Sequence, residues 1–191
     1  MNHFRRLTLA CTGLSLLAAT PALATFHTWR VSQLYSDSTG NVQFIEFHEV
    51  FGDASEQFLA GHNIVAASTF TFPTNLPLPS NTADRYFLVA TSAYQALPGS
   101  VTPDYIIPSN FLSRTGGSLN YAAGIDVFTY GALPSNGTSA LFRNGISGSS
   151  FSVGANSETN FAGRTGAVSV PAPGMTLMFS VGLLAAARRR R

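Results

Sequence analysis

Apolar residues along this chain fall in short runs. From Thr25 to Phe142 these runs are β-branched and aromatic, and Gly, Pro, Asn and Ser bound them. No long stretch repeats at the helical period of 3.6. The pattern predicts strands over 28–35, 42–51, 63–67, 69–72, 86–91, 105–107, 118–121, 125–130 and 140–143, with a single helical turn over 92–97 closed by Pro98 and Gly99. Asp37-Ser38-Thr39-Gly40-Asn41 reads as a turn in which Gly40 takes a positive φ, joining the first two strands as a hairpin. Pro73, Pro77 and Pro79 predict an extended loop over 73–82. Many short strands divided by frequent turn signals imply an all-β fold, a β-sandwich spanning 25–143.

The two ends follow a different pattern. Arg5 and Arg6 precede an apolar run over 7–19, Pro21 breaks that run, and Ala22-Leu23-Ala24 supplies small residues at Ala22 and Ala24 for cleavage. Residues 1–24 therefore have the layout of a secretory signal, helical in its apolar part. Over 144–169 the composition shifts to Gly, Ser, Asn and Thr around isolated Phe151, Val153 and Phe161. That stretch reads as a flexible linker with room for one strand that returns to the sheet. Residues 175–187 form a run of thirteen without charge, followed at once by Arg188, Arg189, Arg190 and Arg191. This predicts a short transmembrane helix, below the roughly 17–25 residues of an ordinary span. The arginines would stay cytoplasmic and leave the body outside.

Removing the ends changes the charge. All eleven basic residues are arginines, and only Arg30, Arg85, Arg114, Arg143 and Arg164 lie in the body. Five arginines against nine acids leave −4 there. No basic stripe remains for a phosphate backbone, which argues against nucleic acid as a partner. Cys11, the single cysteine, lies inside the signal with most of the apolar run after it, an order that does not suit lipid attachment. The mature body then has neither disulfides nor thiol chemistry, and its stability must come from its core.

The best candidate cluster for chemistry is Glu46, His48, Glu49, Asp53 and His62. Strand alternation puts Glu46 and His48 on one face and Glu49 on the other. Glu46, His48 and His62 are the candidate metal ligands, although no H-E-x-x-H motif is present and such residues more often line a solvated face. The acid and amide of Asp37–Asn41 would suit Ca²⁺, but a hairpin turn explains them better. No G-x-S-x-G elbow, P-loop or G-x-G-x-x-G occurs. The expectation is a chain with no catalytic residues, no metal and no cofactor. Tyr35, Tyr86, Tyr94, Tyr105, Tyr121 and Tyr130 could stack on sugars, though strand aromatics mostly fill cores.

Two resemblances add to this reading. Val170, Pro171 and Pro173, the short apolar run and the terminal arginines together resemble the PEP-CTERM sorting signal of Gram-negative bacteria, with Ala172 where that motif has glutamate. The resemblance covers 170–191 and implies that an exosortase-type membrane protease removes the tail. Signal peptidase would be a second processing partner. The protein would pass transiently through the inner membrane on its way to the cell surface or medium, with exopolysaccharide as a candidate partner there. In the body, Gln43-Phe44-Ile45-Glu46-Phe47, Leu59-Ala60-Gly61-His62-Asn63-Ile64, Phe70-Thr71-Phe72-Pro73 and Asp126-Val127-Phe128-Thr129-Tyr130-Gly131 resemble, in order, segments of the lamin-tail-type immunoglobulin sandwich. His62 stands where that family has tryptophan. The resemblance implies an immunoglobulin-like fold and a binding or accessory role. The function expected is thus an exported, non-catalytic structural or binding protein. The alternatives are a calcium-assisted glycan adhesin and, behind it, a secreted metal-dependent hydrolase.

Overall fold

The computed structural model describes residues 26–77 and 81–171. The signal segment with Ala22 and Ala24, Pro173, the apolar run over 175–187, and Arg188, Arg189, Arg190 and Arg191 lie outside the described residues. The elements in order are β1 (Trp29–Ser36), β2 (Gln43–Glu49), β3 (Asn63–Val65), β4 (Thr69–Thr71), β5 (Tyr86–Thr91), α1 (Ser92–Gln95), β6 (Tyr105–Ile107), β7 (Gly117–Tyr121), β8 (Asp126–Tyr130), β9 (Ser139–Arg143) and β10 (Phe151–Ala155). They form an all-β sandwich. One sheet has the order β10-β9-β1-β2-β5-β6 and the other β4-β3-β7-β8. All pairings are antiparallel except β5 with β6.

Each expected strand is present, with its ends adjusted by side-chain chemistry. β2 stops at Glu49 and not at Phe51, because the Glu49 carboxylate accepts the amides of Phe51 (2.9 Å) and Gly52 (2.8 Å) and turns the chain. The β1–β2 hairpin is closed by Asp37, whose Oδ1 accepts the amides of Gly40 (2.8 Å) and Val42 (3.1 Å). Gly40 has φ +79°, and a Cβ there would lie 2.2 Å from the Asn110 amide oxygen, so only glycine fits. α1 is capped by the Thr91 hydroxyl, which accepts from the Tyr94 amide.

Two apolar layers hold the molecule together. Between the sheets, Trp29, Val31, Ile45, Phe47 and Phe87 meet Ile64, Leu119, Tyr121 and Phe128. Their rings pack edge-on or stacked, with Phe47 parallel to Phe87 at 4.5 Å and Trp29 edge-on to Phe87 at 4.8 Å. The second layer lies on the opposite face of the six-stranded sheet. There alternation turns Tyr35, Phe44, Leu88 and Ala90 away from the first core and onto Tyr94 of α1 and Val168.

The cover of that second layer comes from the stretch whose composition reads as a linker. It supplies β10 and then a strap over the sheet, so the folded unit runs to Val170 and does not end at Arg143. Asn156 holds the strap at both ends, donating to the carbonyls of Thr138 (2.7 Å) and Val168 (2.8 Å) and accepting the Val168 amide (2.7 Å). The amides of Ser157, Thr159 and Phe161 bond the side chains of Gln33, Glu46 and Asp104. Val170 donates to the Gly137 carbonyl at 3.0 Å. A Cβ on Gly137, at φ +79°, would lie 1.9 Å from the Val170 carbonyl oxygen, so the strap closes over a position that must be glycine. Polar side chains that bond backbone, and not apolar residues in a period, fix this segment.

A chain ended at residue 143 would expose Tyr35, Phe44, Leu88 and Tyr94. Such a chain is expected to bind a hydrophobic dye and to lose its cooperative thermal transition, while a chain ended at residue 171 keeps both compactness and cooperativity. Calorimetry with dye fluorescence on the two truncations checks this.

Candidate functional site

β2 presents Phe44, Glu46 and His48 on the strap side of its sheet, as alternation predicts. Phe44 is covered. Glu46 lies under the strap and is 4% exposed. Its Oε1 accepts from the Ser32 hydroxyl at 2.6 Å and its Oε2 from the Thr159 amide at 2.6 Å. Burial pushes the Glu46 carboxyl up to about 7; the hydrogen bonds from Ser32 and Thr159 oppose that rise, and nearby Glu158 adds to it. Glu158 is itself fully buried, and its Oε1 accepts from the Tyr94 hydroxyl at 2.6 Å. Burial raises its carboxyl as well.

His48 lies at the edge of the strap. Its Nε2 is 2.8 Å from Asp84 Oδ1, and its ring stacks on Tyr86 with centroids 4.1 Å apart. Asp84 is largely solvated, so this pair contributes little to stability. Glu49, on the opposite face, is buried and accepts the amides of Phe51, Gly52 and Asp84. Burial alone would raise its carboxyl, but those donors hold it below the usual carboxylate value. His62 stacks on Phe26, with ring centroids 3.4 Å apart. Burial, then the nearby His27, keeps its imidazole below the ordinary histidine value.

Of the three candidate ligands, the fold thus places Glu46 and His48 on one face and ties each to a different partner, while His62 belongs to an aromatic stack. Among the described residues no group of three His, Cys, Asp or Glu side chains is gathered to hold a metal ion. Asp53 serves through its backbone carbonyl, which accepts from the Thr82 hydroxyl at 2.6 Å. The Asp37 carboxylate is committed to the hairpin, with Thr39 donating to Oδ2 at 2.6 Å.

Among the described residues, several of these groups line a concave region beside the strap. Two adjoining hollows, of about 370 and 420 Å³, share Ser32 and Arg143. Arg30, His48, Asp84 and Ile146 line the first, and Glu46, Tyr86, Phe142, Thr159 and Thr165 the second. The groove is lined by hydroxyls, the two carboxyls of Glu46 and Asp84, the Arg30 side chain and an aromatic face, a lining suited to holding a polar ligand. Two side-chain pairs stand there: the Ser32 hydroxyl donates to Glu46 Oε1, whose Oε2 is taken by the Thr159 amide, and His48 Nε2 faces Asp84 Oδ1. The two pairs are separate, with no hydrogen bond between His48 and Ser32 among the described residues. Sequence patterns missed Glu158, Thr159 and Tyr94 as partners of this face. No periodic signal marks them, because Glu158 and Thr159 sit in Gly- and Ser-rich sequence.

No family model, no curated protein and no solved structure matches the chain.

The raised carboxyl of Glu46 sets the sign of a pH dependence. Between the ordinary glutamate value of 4.5 and about 7, the folded protein keeps a proton that the unfolded chain has released. That contribution is complete below 4.5 and is lost as the pH rises through about 7. Stability should therefore fall across this window, by up to about 3 kcal/mol from this group. Glu46→Gln, which keeps an acceptor for the Thr159 amide, should flatten much of that slope. Denaturant unfolding of both proteins at several pH values between 4 and 8 measures it.

Proposed function

We propose that this chain is an exported, non-catalytic structural or binding protein of the cell surface or extracellular matrix of a Gram-negative bacterium, sorted at its C-terminus by an exosortase-type protease. The observation that carries the non-catalytic part is the use the fold makes of its acids. Glu46, Glu49, Asp104 and Asp126 each accept backbone amides, and Glu158 is bonded to a buried tyrosine. We read these groups as architecture; the one hydroxyl–carboxyl pair at the groove, Ser32 with Glu46, has its carboxyl buried beneath the strap and shared with the Thr159 amide.

The export part rests on the signal layout of 1–24, the sorting pattern from Val170 onward and a body that has no cysteine. Val170, the first residue of that pattern, donates to the Gly137 carbonyl at 3.0 Å. For the fold, we favour the lamin-tail-type immunoglobulin sandwich. In support, the four segments that carry that resemblance coincide with β2, the approach to β3, β4 and β8. A glycan-binding version of the proposal draws on the hydroxyls of Ser32, Thr159 and Thr165 beside Tyr86 in the groove. It needs no metal.

The test is the intact mass of the protein from each fraction of its bacterial host. The proposal predicts a surface or medium form that starts at Thr25 and lacks everything beyond about Pro173. A membrane form that still ends in Arg191 would mean a permanent anchor and overturn sorting by proteolysis.

A further inference from the structure

The edges of the two sheets are protected to different degrees. β4 and β6 are three residues each, too short to template a partner. Along β8, the Thr129 amide is taken by the Ser149 hydroxyl at 2.9 Å. β10 is different. It is five residues long, lies at the edge of the six-stranded sheet, and carries no charge, proline or bulge. Such devices are what ordinarily blunt an edge.

The ladder fixes which groups of β10 face outward. Asn144 donates to the Ser150 carbonyl and Asn156 to the Thr138 carbonyl, both at 2.9 Å. With Val153 opposite Leu141 in unbroken register, Ser152 and Gly154 bond β9. Phe151, Val153 and Ala155 therefore direct their N–H and C=O away from the sheet. Val153 is also the most exposed large apolar side chain among the described residues, at 66%.

We propose that β10 docks on β10 of a second copy of this chain, antiparallel, about a two-fold axis through Val153. The outward groups are symmetric about that residue. The axis sets Val153 against Val153 of the partner and Phe151 against the partner's Ala155. Each pair exchanges two hydrogen bonds, so every outward donor meets an outward acceptor. Large side chains meet small ones, and no like charges are opposed, because the strand has none. A two-fold closes the contact at a dimer, with the two six-stranded sheets joined edge to edge. This does not depend on whether the chain is exported.

Sedimentation of the full chain in density-matched detergent, over a range of concentrations, tests the dimer. Wild type should show a concentration-dependent monomer–dimer equilibrium. V153K sets two like charges against each other and should weaken association by roughly tenfold or more. At concentrations where both proteins are monomeric its melting temperature should match wild type, because the Val153 side chain is solvated and its amide is outside the β9 ladder. In a C11S background, V153C should form an interchain disulfide on mild oxidation, since directly opposed residues lie within disulfide reach. S152C, opposite the partner's Gly154, should form much less. A chain that stays monomeric, a dimer that V153K leaves intact, or V153C cross-linking no better than S152C would each overturn the proposal.

Discussion

One buried ion pair joins the two halves of this sandwich. Arg143 of β9 donates through Nη1 to both oxygens of Asp126 on β8, at 2.7 and 2.6 Å. Asp126 Oδ2 also accepts the Val31 amide at 2.9 Å, beside the point where the β1–β2 register slips between Val31 and Gln33. Arg143 spends its other donors on the Gly148 carbonyl, at 3.0 and 2.9 Å, and its guanidinium lies 4.3 Å from the Phe128 ring centroid. One carboxylate thus ties β8 of one sheet to β1 and β9 of the other. Removing two charges from water is costly, and such a pair is tolerable only when its lone pairs and protons are satisfied, as these are. The bulge at Ser32 lies next to that bond. It reverses alternation, so Val31 faces the core between the sheets while Tyr35 faces the strap.

That reversal adds to the need for a strap. Phe44, Leu88 and Ala90 already make the far face apolar, Tyr35 joins them, and a sheet with two apolar sides must be covered on both. The segment that covers it has few apolar residues to bury. It is held by carboxylates and amides from the sheet below, Glu46, Asp104 and Gln33, which accept its backbone N–H groups. In a body without cysteine, these buried acceptors do the fastening that disulfides do in many exported domains.

The strands were legible because β-branched and aromatic runs bounded by turn residues have few other readings, and the two-residue alternation correctly placed Glu46 and His48 on one face. What the pattern could not reveal was long-range pairing. Glu46 finds Thr159, 113 residues away, and Asp126 finds Arg143 across the sheets. Nothing local in either segment marks these partners. Gly, Ser and Asn over 144–169 read as flexibility, yet Asn156 and Glu158 are buried and bonded there, because short polar side chains bond backbone well and leave no periodic trace. The β2 end was overextended for a similar reason: Val50 and Phe51 look like strand residues, but the Glu49 carboxylate captures the amides that a strand would have used.

Whether the charged groups are architecture is tested most directly at Asp126 and Arg143. Denaturant unfolding of Asp126→Leu, Arg143→Met and the double variant gives the coupling between them. If the pair holds the sheets, each single variant should lose on the order of 3–5 kcal/mol by stranding its partner or the Val31 amide, and the double variant should recover a large part of that loss. Single variants within about 0.5 kcal/mol of wild type would show that the sandwich stands without the pair.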